Sequence, residues 1–186
     1  MLNKIYQGDN RELIEGVTSG SIDLIILDPP YVTTKESWDK EDVLTDEFIY
    51  ELFRVLKPSG TLYCWCGIGE KSQSLIRWFP KFTPWFHFKD LVTWKKQRGI
   101  GMRKGWLYTR EECMWFVKDN KQFVWNKESQ YSQEKRTFTA TYKDPERMAK
   151  YKASVKSENK RWTNVWTDIR EQNIAWNEEN IEKTKM

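Results

Sequence analysis

Residues 28–31 read Asp-Pro-Pro-Tyr and follow directly on the apolar run Leu24-Ile25-Ile26-Leu27. A carboxylate, two prolines and a phenol are an unusual way to end a buried strand. Pro29 and Pro30 have fixed φ and no N–H, and they present their carbonyls as acceptors. The tetrapeptide is therefore a rigid cluster of acceptors, the Asp28 carboxylate and backbone carbonyls, with the Tyr31 ring beside it. Such a cluster suits a flat group that carries an N–H₂, such as the exocyclic amine of adenine or cytosine, with Tyr31 stacked on the ring. The structural alternative is a strand-terminating turn opened by an aspartate.

Other residues invite a chemical reading. Lys95, Lys96, Arg98, Arg103, Lys104 and Arg110, with Trp94 and Trp106, form the densest basic-aromatic stretch. It reads as a DNA contact in which the cations hold phosphates, or as a solvated hairpin loop. The formal net charge of +4 is unevenly spread: residues 1–60 are net −6 and residues 61–110 net +8. A basic field around tryptophans points to nucleic acid. Asp9 lies near a cofactor or target base, or else caps a helix. Trp38 shapes a base pocket or packs. Gly67-Ile68-Gly69 reads as a strand-to-helix turn, and Gly99-Ile100-Gly101 as a turn that follows DNA.

Cys64, Cys66 and Cys113 lack metal-ligand spacing, and His87 is the single histidine. Together they weigh against a metal site and a Ser-His triad, and the odd cysteine count fits a reducing cytoplasm. No apolar run approaches the roughly 18 residues of a membrane span.

The elements that must position these residues alternate. "KIYQGDN" (4–10) reads as a strand, and "DNRELIEGV" as a helix capped by Asn10. "SIDLIILD" (21–28) has the continuous apolar character of a central parallel strand covered on both faces. "TDEFIYELFRVLKPSG" is a helix capped by Thr45 and stopped by Pro58 and Gly60. A strand (61–67), a helix (69–79) and two strands (86–96 and 111–118) follow. This order predicts an α/β fold, mostly parallel with an antiparallel edge pair. The expected division is a core over 1–126, a target-recognition or mobile lobe over 127–162, and a return segment over 163–186.

With these pieces in place, the sequence resembles the DNA amino-methyltransferases that act on adenine N6 or cytosine N4. Asp28-Pro29-Pro30-Tyr31 matches that family's catalytic motif. "YQGDN", Trp38-Asp39, "RVLKPSGTLY" (54–63), the strand-loop-strand of 92–118 and "NVW" (164–166) are similar to its other segments. The resemblance implies a Rossmann-like methyltransferase sheet, S-adenosylmethionine as methyl donor and double-stranded DNA as partner. It implies that Asp28 and the Pro29 carbonyl accept the two N–H bonds of the target amine, with Pro30 holding the loop rigid. Tyr31 and Trp38 would line the pocket of a flipped base. Asp9 and Asp28 become candidates for the cofactor side. An aspartate-first motif tilts the target toward adenine N6.

In family members with this motif near the N-terminus, a glycine-rich cofactor loop comes last. Here no glycine follows Gly105. The sheet is thus expected to be incomplete in this chain, with 24–28 as an exposed apolar edge; the expectations are a truncated product, half of a split enzyme completed by a second chain or homo-oligomer, or a variant whose tail takes a different path. Cytosine-N4 transfer, and a non-catalytic DNA-binding or partner-completed subunit, are the alternative readings.

Overall fold

The computed structural model describes residues 3–100, 106–127, 131–135, 144–155 and 157–167, apart from the side chains of 97–100. The chain divides into two compact units, Met1–Val124 with Asn164–Met186, and Trp125–Thr163.

The first unit is built on a five-stranded sheet of strands β1 (Ile22–Leu27), β2 (Leu56–Cys66), β3 (His87–Ile100), β4 (Tyr108–Val117) and a short β7 (Val165–Trp166). Their order is β1-β2-β4-β3-β7. β1 is parallel to β2, and β7 is parallel to β3. Only β4 is reversed: it runs antiparallel to both β2 and β3. The sheet is thus mostly parallel, with an antiparallel β3–β4 hairpin added beyond β2. "NVW" returns to the far edge, where Thr93 N–H donates to the Asn164 carbonyl at 2.7 Å.

Helices α1 (Asn10–Leu13), α2 (Asp46–Val55) and α3 (Ser74–Phe82) complete this unit. The Thr45 hydroxyl caps α2 by accepting from Phe48 N–H. Phe48, Ile49, Leu52 and Val55 recur at helical spacing and are buried. Phe48, Ile49 and Leu52 share a core with Leu62, Cys64, Met114 and Phe116, which alternate along β2 and β4, and with Trp78 and Phe82 of α3. Phe82 stacks on Phe116 with ring centroids 5.1 Å apart. On the other face of the sheet Tyr63 stacks on Trp115, and Trp65 meets Trp94 and Trp166 edge-on. Trp65 and Trp115 are half-buried there.

Four expectations are corrected. Residues 4–10 form no strand, and Asp9, not Asn10, caps α1 through a bond accepted from Arg11 N–H. The helix expected from residue 69 begins at Ser74, because 69–73 form turns that end in a left-handed Gln73 at φ 46°. β1 is not a central strand: it lies at the edge of the sheet. Ile25 and Leu27 pack on the core, but Leu24 is 51% exposed and Ile26 65%. An unbroken apolar run records that both faces avoid water; it does not record whether the described residues supply the second cover.

The second unit holds an antiparallel pair, β5 (Tyr131–Lys135) and β6 (Asn159–Arg161), and helix α4 (Pro145–Ser154). Asp144 caps α4 by accepting from Glu146 N–H. Lys135 pairs with Glu158 across the strands, and Lys160 with Glu134.

Candidate active site

β1 and β2 end together: Leu27 pairs with Cys64, and β2 runs on to Cys66. The chain leaves β1 at Asp28, on the carboxyl side of the parallel pair, where open α/β sheets place their ligands. Asp28 is exposed, and Pro29, Pro30 and Tyr31 are half-buried. Among the described residues no hydrogen bond is made to the Pro29 or Pro30 carbonyl. The Tyr31 hydroxyl donates to Asp28 Oδ1 at 3.0 Å. Burial, then the negative charge of Asp28 and this hydrogen bond, push the Tyr31 phenol well above its ordinary range. It stays protonated at neutral pH and acts as a donor.

The segment after the prolines is fastened on two sides. From α3, Arg77 Nη2 donates to the Tyr31 carbonyl at 3.1 Å, and the Trp78 ring lies 5.9 Å from that of Tyr31. α3 also grips the chain beyond the loop: Trp78 Nε1 donates to Asp42 Oδ1 at 2.9 Å, and Lys81 Nζ donates to the Leu44 carbonyl at 2.7 Å. From the other side Asp39 accepts three backbone N–H bonds. Val32 donates to Oδ1 at 2.6 Å, and Thr33 and Thr34 donate to Oδ2 at 2.8 and 2.5 Å. Asp39 is 1% exposed, whereas its neighbour Trp38 is 64% exposed. Burial opposes the charge on Asp39, but the hydrogen bonds from Thr34, Thr33 and Val32 outweigh it and bring the carboxyl down to about 2.

The turn after β2 leads into α3. Gly67 N–H donates to Ser74 Oγ at 2.7 Å, and Ser72 and Ser74 share a hydrogen bond of 2.8 Å. A Cβ on Gly67 would stand 2.5 Å from Ser72 Oγ. Gly67-Ile68-Gly69 is therefore a packed strand-to-helix turn and not an open cradle. Cys66 at the end of β2 is pushed up to about 12, by burial first and then by Cys113 and Glu112. It remains a thiol and offers no nucleophile.

The remaining candidates fall in different places. Asp9 forms a salt bridge with Arg11 at 2.6 Å, and that partner lowers its carboxyl to about 2. This is the geometry of a helix cap. Lys95 is exposed, and Trp106 is 93% exposed. Lys96 pairs with Glu111, and Arg110 Nε lies 3.1 Å from Glu112. Glu112 is nearly fully buried and also accepts from Thr93 Oγ1 at 2.6 Å. The side chain of Arg98, and Arg103 and Lys104 altogether, lie outside the described residues. Among the described residues no group of three or more His, Cys, Asp or Glu could hold a metal ion. None of their helices is long and apolar enough to cross a membrane.

The described residues build the acceptor side of an amine reaction. They do not build a cradle for the methyl donor that the resemblance implies. An apolar groove of about 640 Å³ runs along β1, with Tyr6, Asn10, Leu13 and Ile22 among its lining residues. Gly16, in the turn Ile14–Gly16, is the glycine that lines it, and no glycine-rich strand-to-helix turn does.

Sequence reasoning missed Asp39, Arg77 and Trp78 as partners of the Asp28–Tyr31 segment. Asp39 carried a faint signal as the second residue of Trp38-Asp39, but its three bonds belong to the folded loop.

The family model described as DNA methylase, of N6 and N4 type, matches residues 22–185. The Type II methyltransferase M.BglII of Bacillus subtilis is 31% identical over 128 residues, covering 63% of this chain and 36% of its own. The DNA adenine methyltransferase YhdJ of Escherichia coli K12 is 30% identical over 132 residues, covering 66% of this chain and 43% of its own. The chain thus spans less than half the length of these relatives. In fold it is similar to the cytosine-N4-specific PvuII DNA methyltransferase: TM-score 0.52, 16% identity, 97% of this chain and 62% of that one. By the match over residues 22–185, the chain belongs to the N6/N4 DNA methylase family.

Proposed function

We propose that residues 28–31 hold the exocyclic amine of adenine in DNA for methylation at N6, with S-adenosylmethionine as the methyl donor. The observation that carries this reading is the exposed Asp28 carboxylate at the carboxyl end of a parallel strand. Its single hydrogen-bond partner among the described residues is the Tyr31 hydroxyl.

The exocyclic amine is conjugated with its ring and is a poor nucleophile. A carboxylate and a carbonyl that accept its two N–H bonds draw the nitrogen toward tetrahedral geometry and aim its lone pair. Asp28 supplies the first acceptor and the Pro29 carbonyl the second. The contribution of this chain is positioning and electrostatic stabilisation of the charge that develops on nitrogen. Asp28 Oδ2 is free to receive the amine while Oδ1 keeps the Tyr31 hydroxyl. The reading favours adenine because the motif opens with aspartate and because YhdJ is named an adenine methyltransferase.

DNA is held by the basic hairpin of β3 and β4, where Lys95 and Trp106 stand clear of the sheet. Lys96 and Arg110 reach phosphates only in exchange for their acidic partners. The protein works in the cytoplasm. The test is transfer of tritium from methyl-labelled S-adenosylmethionine to duplex DNA by the 186-residue chain and by Asp28→Ala. Label in DNA with the first and none with the second supports the reading; equal labelling by both overturns it.

A further inference from the structure

Val32 follows the motif tyrosine and has φ 60°. This is the left-handed region, where a β-branched residue is strained by its Cβ and γ-methyl groups. The strain persists only where the surroundings hold it. The next three N–H groups, of Val32, Thr33 and Thr34, converge on the two oxygens of Asp39. A left-handed residue that turns successive N–H groups toward one point forms a concave anion site, and here the anion is the protein's own buried carboxylate. One residue earlier, Arg77 holds the Tyr31 carbonyl.

We propose that Asp39 is a positioning residue for the reaction at Asp28. Its carboxylate holds Val32–Thr34 in the strained turn and so sets the direction from which Tyr31 meets Asp28. The inference rests on the methyl-transfer reading and deepens it. Asp39 itself touches no substrate in this scheme. It acts through the backbone that carries the Tyr31 ring and hydroxyl, and a shift of about 1 Å at such a site costs on the order of a hundredfold in rate.

The geometry dictates the variants. Asp39→Asn keeps the size of the side chain and one acceptor oxygen, but whichever way the amide is turned its N–H₂ faces at least one of the three N–H groups. Val32→Gly removes the steric penalty at φ 60°. The loop in Asp39→Asn is expected to lose protection of the Val32, Thr33 and Thr34 amides in hydrogen exchange by about tenfold or more. The kcat for methyl transfer is expected to fall about tenfold or more, with KM for DNA changed less than about threefold. Adding Val32→Gly to Asp39→Asn is expected to recover part of the kcat, because the turn then needs less holding.

Unchanged amide protection in Asp39→Asn overturns the proposal. So does a wild-type kcat with protection lost, or a double variant no faster than Asp39→Asn. If Asp39→Asn does not fold, the double variant decides: a folded double variant with restored protection supports the holding role, and an unfolded one overturns it. Absence of methyl transfer by the wild type defeats the functional reading instead, and leaves amide exchange to decide whether Asp39 sets the loop.

Discussion

The Tyr31 hydroxyl lies 3.0 Å from Asp28 Oδ1, so the motif closes a hydrogen bond on itself across two prolines. The aromatic residue thus has a second use besides offering a ring face: it orients the carboxylate before any base arrives. Tyr31→Phe keeps the ring against Trp78 and removes only the hydroxyl. It is expected to lower kcat by up to about tenfold, the worth of one hydrogen bond of about 1–1.5 kcal/mol, with KM for DNA unchanged. Tyr31→Ala also removes ring contacts and is expected to lower both rate and stability. Steady-state kinetics of the pair, with thermal unfolding, separates the two roles.

Among the described residues Lys95 has no acidic partner, unlike Lys96 and Arg110, which face Glu111 and Glu112. Lys95→Ala is expected to weaken DNA binding across sequences and to reduce the slope of log K against log salt by about 0.9, the signature of one lost phosphate contact. Lys96→Ala is expected to change that slope less, since its charge is already compensated. Fluorescence anisotropy at several salt concentrations reads both slopes.

Asp39 also makes the fold depend on pH. Its folded carboxyl is at about 2, below the ordinary 3.8. A depressed carboxyl stabilises the folded state above its unfolded value, and the contribution disappears as pH falls through the folded value. This share of the stability is therefore complete above about pH 4 and is lost toward pH 2. Asp39→Asn is expected to be less stable at pH 7 and to approach the wild type as pH falls through this window. Urea unfolding at a series of pH values checks the convergence.

The exposed side chains of β1 carry a different consequence. Among the described residues no strand pairs with the outer edge of β1, and Leu24 and Ile26 are exposed on one of its faces, together a template for association with other chains. The isolated 186-residue chain is expected to self-associate. Ile26→Lys, on the exposed face, is expected to reduce association while leaving the unfolding midpoint within about 0.5 kcal/mol of equivalent stability. Sedimentation velocity of the two proteins measures the difference.

What the sequence disclosed follows from which forces are local. The end of β1 at Asp28, the Thr45 cap of α2 and the alternation of β2 and β4 are written in neighbouring residues, and the structure has them in place. The place of β4 between β2 and β3 depends on which strands meet, and periodicity carries no such information. The same holds for the loop after the motif. Trp38 reads in the sequence as a base-pocket or packing residue and is largely exposed, while the neighbouring Asp39 gathers three N–H groups from residues five to seven positions away. Asp9 caps α1 and pairs with Arg11, a contact only two positions away. Arg77 and Trp78 lie more than forty positions beyond Tyr31 and reach it only because α3 packs beside the end of β1.

The account stands most directly on the identity of the methylated nucleoside. Duplex DNA incubated with the chain and S-adenosylmethionine would be digested to nucleosides and examined by mass spectrometry, beside a sample treated with Asp28→Ala. The account predicts N6-methyladenine in the first digest and its loss in the second. N4-methylcytosine in place of N6-methyladenine would contradict the adenine reading, and no methylated nucleoside, or equal amounts from both proteins, would contradict the role given to Asp28.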